Sequence, residues 1–258
     1  MENIIKISTD KKIYFVSDAH LGAPNKEDSL IREKKLVRWL EKIQTDASHL
    51  FLVGDIFDFW FEYKRVVPRG FIRLLGKLRE LSDKGIKLYF FTGNHDMWTF
   101  DYLQDEIGMQ IFRKPQVFLI NNKKYFIGHG DGLGPEDKKY KFLKSFFSSK
   151  FCQWMFARLH PNFAFWIAQG SSNSSRKTHE KTDHIFMGEE KEMLIQYAKE
   201  QSKTKDYDYF IFGHRHLPLE IKINEKTSYL SIGDWITHFS YIEIEGDTPS
   251  LFSEKKLS

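Results

Sequence analysis

At 258 residues the chain has room for one large domain or a core with an insertion, at roughly 100–200 residues per domain. Its 41% hydrophobic and 29% charged residues are ordinary for a soluble globular chain, and a net charge of +4 is too mild to mark a nucleic-acid binder. A single cysteine, Cys152, excludes an intrachain disulfide, and the start Met1-Glu-Asn-Ile-Ile-Lys6 carries no signal-peptide pattern, so a cytoplasmic protein is expected.

In chain order, short apolar runs each end in a cluster of polar donors. Ile13–Val16 leads into Asp18-Ala-His20, and Leu50–Val53 into Gly54-Asp55 with Asp58 close behind. Leu88–Phe91 leads into Gly93-Asn94-His95-Asp96, and Tyr125–Ile127 into Gly128-His129-Gly130-Asp131. Tyr209–Phe212 leads into Gly213-His214-Arg215-His216. Such runs, rich in β-branched and aromatic residues, read as buried strands. A glycine before the donor permits the turn that aims the next side chain back across the strand end.

Helical spacing fills the gaps. Leu30, Ile31, Leu36, Val37, Leu40 and Ile43 mark one helix. Phe71, Leu74, Leu75, Leu78 and Leu81 mark a second, with Pro68 as its start signal and Gly85 as its stop. Glu189 to Lys203 reads as a third. Tyr229–Ile232 and Phe239–Ile244 read as closing antiparallel strands. The pattern is α/β with a β-rich end, which gathers the donors at the carboxyl ends of the strands.

Between Gly132 and Gly188 the rhythm breaks. Aromatics crowd this stretch, Phe142, Phe146, Phe147, Phe151, Trp154 and Trp166 among them, and Lys138, Lys139, Lys141, Lys144, Lys150 and Arg158 interleave. It reads as an inserted helical cap over 132–188, between core segments 1–131 and 189–258, with a loop-like tail from Gln169 to Lys177. The aromatics admit two readings, ordinary core or a lipid-facing surface.

The donor set comprises Asp18, His20, Asp55, Asn94, His129, His214 and His216, with no thiolate. That is too many ligands for one metal and suits two divalent ions about 4 Å apart sharing a carboxylate. Asp18 and His20, alternating on an extended segment, face one side and with His216 form one site. Asp55 bridges to a second ion held by Asn94, His129 and His214. An amide ligand adds no negative charge where a phosphate must bind. Carboxylate, imidazole and amide donors favour Mn²⁺, with Fe²⁺ or Zn²⁺ as alternatives. His95 and Asp96 are the catalytic pair: Asp96 fixes the tautomer of His95, whose other nitrogen faces the phosphate or leaving group. Asp58 and Asp131 orient ligand imidazoles. Arg215 points away from the metals. His49, His160, His179, His184 and His238 read as ordinary surface, core or helix-boundary residues.

These motifs resemble the calcineurin-like metallophosphoesterase superfamily, from about Lys12 to Ile244. The resemblance implies a four-layer αββα sandwich with a dinuclear site at one edge. Ser17-Asp-Ala-His-Leu21, Gly54 to Trp60, and Asp137 and Tyr140 following His129-Gly-Asp131 are similar to the UDP-2,3-diacylglucosamine pyrophosphohydrolase family of lipid A synthesis. That family implies hydrolysis to lipid X and UMP, a cap acting as a lid over acyl chains, and association with the cytoplasmic face of the inner membrane. It also implies substrate contacts by Asn94, His95, Asp137, Tyr140, Ser172, Asn173, Arg176, Lys177 and His214. The chain departs from it by carrying His95 where that family has Arg. The other readings are a soluble phosphoesterase for nucleotides or phosphoproteins, and a non-catalytic binding module, which should have lost ligands.

Overall fold

The structure is a computed structural model that describes residues 3–134, 138–168, 170 and 185–254. Its first sheet contains β2 (Lys12–Val16), β3 (Ala47–Val53), β4 (Lys87–Phe91), β5 (Gln110–Phe112), β11 (Ser240–Glu245) and β12 (Thr248–Ser253). The order is β12-β11-β2-β3-β4-β5, parallel from β2 to β5, with β11 antiparallel to both its neighbours. The second sheet runs β1-β6-β7-β8-β10-β9. Its strands are β1 (Asn3–Ile5), β6 (Gln116–Ile120), β7 (Lys123–Gly128), β8 (Tyr209–Phe212), β9 (Leu219–Lys222) and β10 (Ser228–Ser231).

Alternation along β3 explains the layers. Phe51 and Val53 point toward the second sheet, where they pack with Phe15, Phe91, Phe118, Tyr125, Ile127 and Ile211. Leu50 and Leu52 point the other way, onto Leu36, Trp39 and Leu40 of α1 (Lys26–Ile43) and Leu74, Leu78 and Leu81 of α2 (Ile72–Asp83). Burial on both faces is why these strands read as continuous apolar runs. On the far side, Leu194, Ile195 and Ala198 of the helix Met193–Ser202 cover Phe210, Phe212 and Tyr229. The layers are therefore helix, sheet, sheet, helix, as expected for the αββα sandwich.

Several local expectations change. The second helix begins four residues after Pro68, behind Phe71 in a left-handed conformation (φ 57°) with no side-chain cap of its own. Glu33 of α1 supplies the cap, accepting from Arg73 N at 3.1 Å and Leu74 N at 3.2 Å. Gly85, at φ 87°, ends that helix as expected. Strand β10 is antiparallel to β9 but parallel to β8. Strands β1, β5, β9 and β12 and a π-helical turn over Leu103–Ile107 lie outside the expected elements, as does β6, whose apolar run Val117–Ile120 has no donor cluster behind it.

Between β7 and the helix Met193–Ser202 lie α3 (Lys138–Phe147), α4 (Lys150–Phe156) and α5 (161–168), which makes Met193–Ser202 α6. There is no strand among the described residues of 132–188. His160 is the boundary at the start of α5, its carbonyl accepting from Phe163 and Ala164. These helices are two-sided. Phe147, Cys152 and Phe156 pack onto Phe59, Phe61, Trp98 and Phe100, whereas Phe142, Phe151, Trp154 and Trp166 are 75%, 65%, 54% and 70% exposed. The aromatic excess thus has two destinations, since Phe15, Phe51, Phe90, Phe91 and Phe118 are fully buried in the core.

Candidate metal centre

The donors leave the strand ends on left-handed turns. Asp18, His20, Asp55 and His214 have φ of 53°, 42°, 52° and 63°, a conformation that non-glycine residues adopt only where the surroundings enforce it. The extended Asp18-Ala-His20 segment is therefore replaced by a turn. Asp18 N and His20 N donate to Gly54 O (3.1 Å) and Asp55 O (2.9 Å), binding this loop to the one after β3. Gly54, at φ 83°, has the conformational role expected of it. Gly93 and Gly213 are needed instead for space: a Cβ on Gly93 would strike the Asp55 carboxylate, and one on Gly213 would strike Ser17 Oγ.

Among the described residues, three sets each bring their donor atoms within 4.8 Å of one another: Asp18, His20 and His216; Asp55, His129 and His214; and His20, Asp55 and His95, which joins the first two. His214 and His216, two residues apart, thus serve different sets.

The carboxylates are held by one oxygen each. Asp18 Oδ2 accepts from Ser17 Oγ at 2.5 Å and His214 N at 2.9 Å. Asp55 Oδ1 accepts from His95 N at 2.8 Å, and Oδ2 stands 3.2 Å from His129 Nε2. The His129 imidazole is held by Nδ1, and a carboxylate stands near Nδ1 of His20. His129 Nδ1 donates to Val53 O at 2.9 Å, and Asp58 Oδ1 lies 3.5 Å from His20 Nδ1. Each grip leaves an oxygen or Nε2 aimed inward. Asp18 Oδ1, Asn94 Oδ1 and His129 Nε2 are buried without a hydrogen-bond partner. Buried donors and acceptors are rarely left so, and cations at the two donor sets would satisfy them, so the residues fit divalent metal. His20 Nε2 and His216 Nε2 approach to 3.2 Å, as two lone pairs sharing an ion would.

The electrostatics agree. Burial alone would raise Asp18, yet the imidazoles of His20 and His216 hold it well below the usual carboxylate range. Burial alone would lower His20 and His129, yet the carboxylates raise both to about 10: Asp18 and Asp58 act on His20, chiefly Asp55 on His129. Without metal, this surplus of negative charge is balanced by protons.

The expected partnership of Asp96 with His95 is not what forms. Asp96 is fully buried and accepts from three backbone amides, Gly93 N at 2.7 Å, Ile56 N at 2.9 Å and Phe57 N at 3.5 Å. It buckles the loops after β3 and β4 together. His95 Nδ1 instead donates to Asp58 O at 2.9 Å. Asp131 also differs from expectation: rather than touching an imidazole, it accepts from Tyr140 Oη at 2.8 Å and pairs with Lys144 Nζ at 2.7 Å. Arg215 does turn away, onto Glu192 at 2.9 Å. Two further residues shape the site without having been singled out: Ser17, and Arg32 of α1, which donates to Ala19 O at 3.1 Å and His20 O at 2.9 Å. Only their contacts across the fold reveal them. Asp137, Ser172, Asn173, Arg176 and Lys177 lie outside the described residues.

Two mixed sheets with a rim of histidines and aspartates define a class, and comparison with known proteins supplies the same one. Residues 11–218 match the family described as Calcineurin-like phosphoesterase, and the chain belongs to that family, whose members are metal-dependent phosphoric ester hydrolases. The chain is 39% identical over 249 residues to the UDP-2,3-diacylglucosamine hydrolase of Porphyromonas gingivalis (strain ATCC BAA-308 / W83), covering 92% of this chain and 95% of that relative. It is 26% identical over 242 residues to the UDP-2,3-diacylglucosamine hydrolase of Histophilus somni (strain 129Pt), covering 92% and 97%. Among solved structures, a dimetal phosphatase from Danio rerio aligns over 95% of this chain and 96% of its own, with 13% identity and a TM-score of 0.43.

Proposed function

We propose that the chain hydrolyses the pyrophosphate bond of UDP-2,3-diacylglucosamine, giving 2,3-diacylglucosamine 1-phosphate (lipid X) and UMP. The observation that carries this reading is the pairing of a phosphoesterase metal centre with a helical cap whose aromatics are exposed, on a chain 39% identical to a relative of that name. Asp18, His20 and His216 would hold one ion, Mn²⁺ by preference, and Asn94, His129 and His214 a second, with Asp55 within reach of both sets. When bound, such ions would supply Lewis acidity and lower the pKa of water so that hydroxide is available as the nucleophile at neutral pH. The chain's own part is to hold the donors rigid, to place Asn94 without adding charge, and to present His95 Nε2. With Nδ1–H donated to Asp58 O, the tautomer is set and Nε2 is the nitrogen suited to a phosphate oxygen or the leaving group.

Segment 132–188 serves as the cap. Its exposed Phe142, Phe151, Trp154, Phe163 and Trp166 suit acyl chains, each buried CH₂ contributing about 0.8 kcal/mol. Lys141, Lys150 and Arg158 beside them suit an anionic membrane surface, and the protein rests peripherally on the cytoplasmic face of the inner membrane. No described helix is long and apolar enough to cross a membrane. The test is an assay with Mn²⁺ on UDP-2,3-diacylglucosamine beside bis(p-nitrophenyl) phosphate. A strong preference for the first is expected. Turnover of the second alone would favour a soluble phosphoesterase for nucleotides or phosphoproteins.

A further inference from the structure

Helix α3 is held to the core in an unusual way. Most surface helices dock by an apolar stripe. Here Phe142, Leu143 and Phe146 are 75%, 48% and 46% exposed, and among the described side chains of α3 only Phe147, at the carboxyl end, joins a packed apolar cluster. The helix is also attached by polar contacts. Tyr140 Oη donates to Asp131 Oδ2 at 2.8 Å, and Lys144 Nζ stands 2.7 Å from the same oxygen and 3.2 Å from Asp131 O. Lys141 Nζ donates to Gly134 O at 2.7 Å. Tyr140 and Lys144 are one helical turn apart and so share a face.

Asp131 is the fixed half of this joint. Its side chain is 3% exposed, whereas that of Lys144 is 32% exposed. The turn is closely built, since Gly132 (φ 73°) leaves 3.3 Å between the position of a Cβ and the Tyr140 ring. Asp131 lies two residues beyond His129, whose ring is tied to Val53 O. The first cap helix and one donor set of the metal centre therefore share a short, stiff connection. Removing the cation would leave a buried carboxylate without its charge partner, which disfavours the docked position of α3.

We propose that Lys144 is a positioning residue: its ion pair with Asp131 sets how α3 stands over the metal centre, and so aligns the acyl chains of the substrate with the scissile pyrophosphate. The alignment of a diacylated substrate rests on the function proposed above, but the docking of α3 does not. A small phosphodiester, which never reaches the cap, is indifferent to the joint.

The full-length Mn²⁺-loaded protein is assayed as wild type, Lys144→Met, Lys144→Gln and Lys144→Arg on UDP-2,3-diacylglucosamine and on bis(p-nitrophenyl) phosphate. Hydrogen exchange is followed over 138–147. Removing the charge is expected to raise KM for the diacylated substrate about tenfold, to leave kcat/KM for the small one within about twofold, and to speed exchange in α3. Lys144→Arg is expected to restore KM. With two neutral variants, the comparison survives if one fails to fold. An unchanged KM and unchanged exchange, an equal loss on both substrates, or a Lys144→Arg protein behaving like Lys144→Met would overturn the proposal. If the wild type does not turn over UDP-2,3-diacylglucosamine, the proposed function fails instead. Exchange in α3 then decides the joint: faster exchange in the neutral variants supports it and unchanged exchange ends it.

Discussion

His95 Nδ1 donates to the main-chain oxygen of Asp58 at 2.9 Å. A carbonyl oxygen cannot donate in return, so this contact puts the ring proton on Nδ1 and leaves Nε2 as the reactive nitrogen. Asp96, the neighbour expected to do this, is engaged with backbone amides instead.

The two adjacent residues therefore fail differently when replaced. His95→Ala is expected to lower kcat by roughly 10²–10⁴ with both metals still bound and the melting temperature little changed. Asp96→Ala strips the acceptor from buried amides, at about 1–3 kcal/mol for each one left unpaired, so its loss appears as a fall in melting temperature. Steady-state kinetics, elemental analysis and calorimetry separate the cases. Wild-type turnover in His95→Ala on a substrate with a poor leaving group would remove His95 from the mechanism.

The Asp55 carboxylate lies within reach of both principal donor sets, 3.2 Å from His129 Nε2 and 3.8 Å from His20 Nε2. Asp55→Ala is expected to abolish activity and most bound metal, whereas Asp18→Ala or His216→Ala weakens one ion more than the other. Active wild-type protein containing no more than one ion per chain would rule out the dinuclear centre.

Metal binding should release protons. His20 and His129 are raised to about 10 in the metal-free site, so both carry protons at neutral pH that must leave before metal can bind. Affinity is then lowest in acid and rises with pH as those protons become easier to remove. Calorimetric titration in buffers of different ionisation enthalpy measures the number released. In the metal-free protein the same raised values stabilise the fold fully below the unfolded imidazole value of about 6.5, and the contribution fades as pH climbs through about 10. Melting of chelator-treated protein should accordingly fall across that window. A flat profile with no proton release would mean that these imidazoles are neutral before metal arrives.

The two faces of the cap predict opposite outcomes. Trp154 is 54% exposed, so Trp154→Ser should raise KM for the diacylated substrate with little effect on stability. Phe147 packs 6.2 Å from Trp98 by ring centroid, and Trp98 Nε1 donates to its carbonyl at 2.9 Å. Phe147→Ser should therefore cost roughly 3 kcal/mol and depress turnover of every substrate. Loss of stability in Trp154→Ser would argue that its face is covered within the protein.

The sequence alone determined the strands β2, β3, β4, β7 and β8 and put candidate donors behind each of them. Burial on both faces demands a continuous apolar run, and metal chemistry demands aspartate, asparagine and histidine at its end. Strands such as β9 (Leu219–Lys222) escaped notice because an edge strand needs only one apolar face, and four residues are too few for alternation to register. Tertiary structure decided what depends on partners remote in the chain. It gave Asp96 to the backbone of Ile56 and Gly93 rather than to the adjacent imidazole, and gave Asp131 to Lys144 rather than to a ligand histidine. Within the lysine-interleaved α3 it packed Phe147 against Trp98 and left Phe142 in the open. Composition states how much a side chain gains by burial, but only the packing of distant segments states whether a surface exists to bury it.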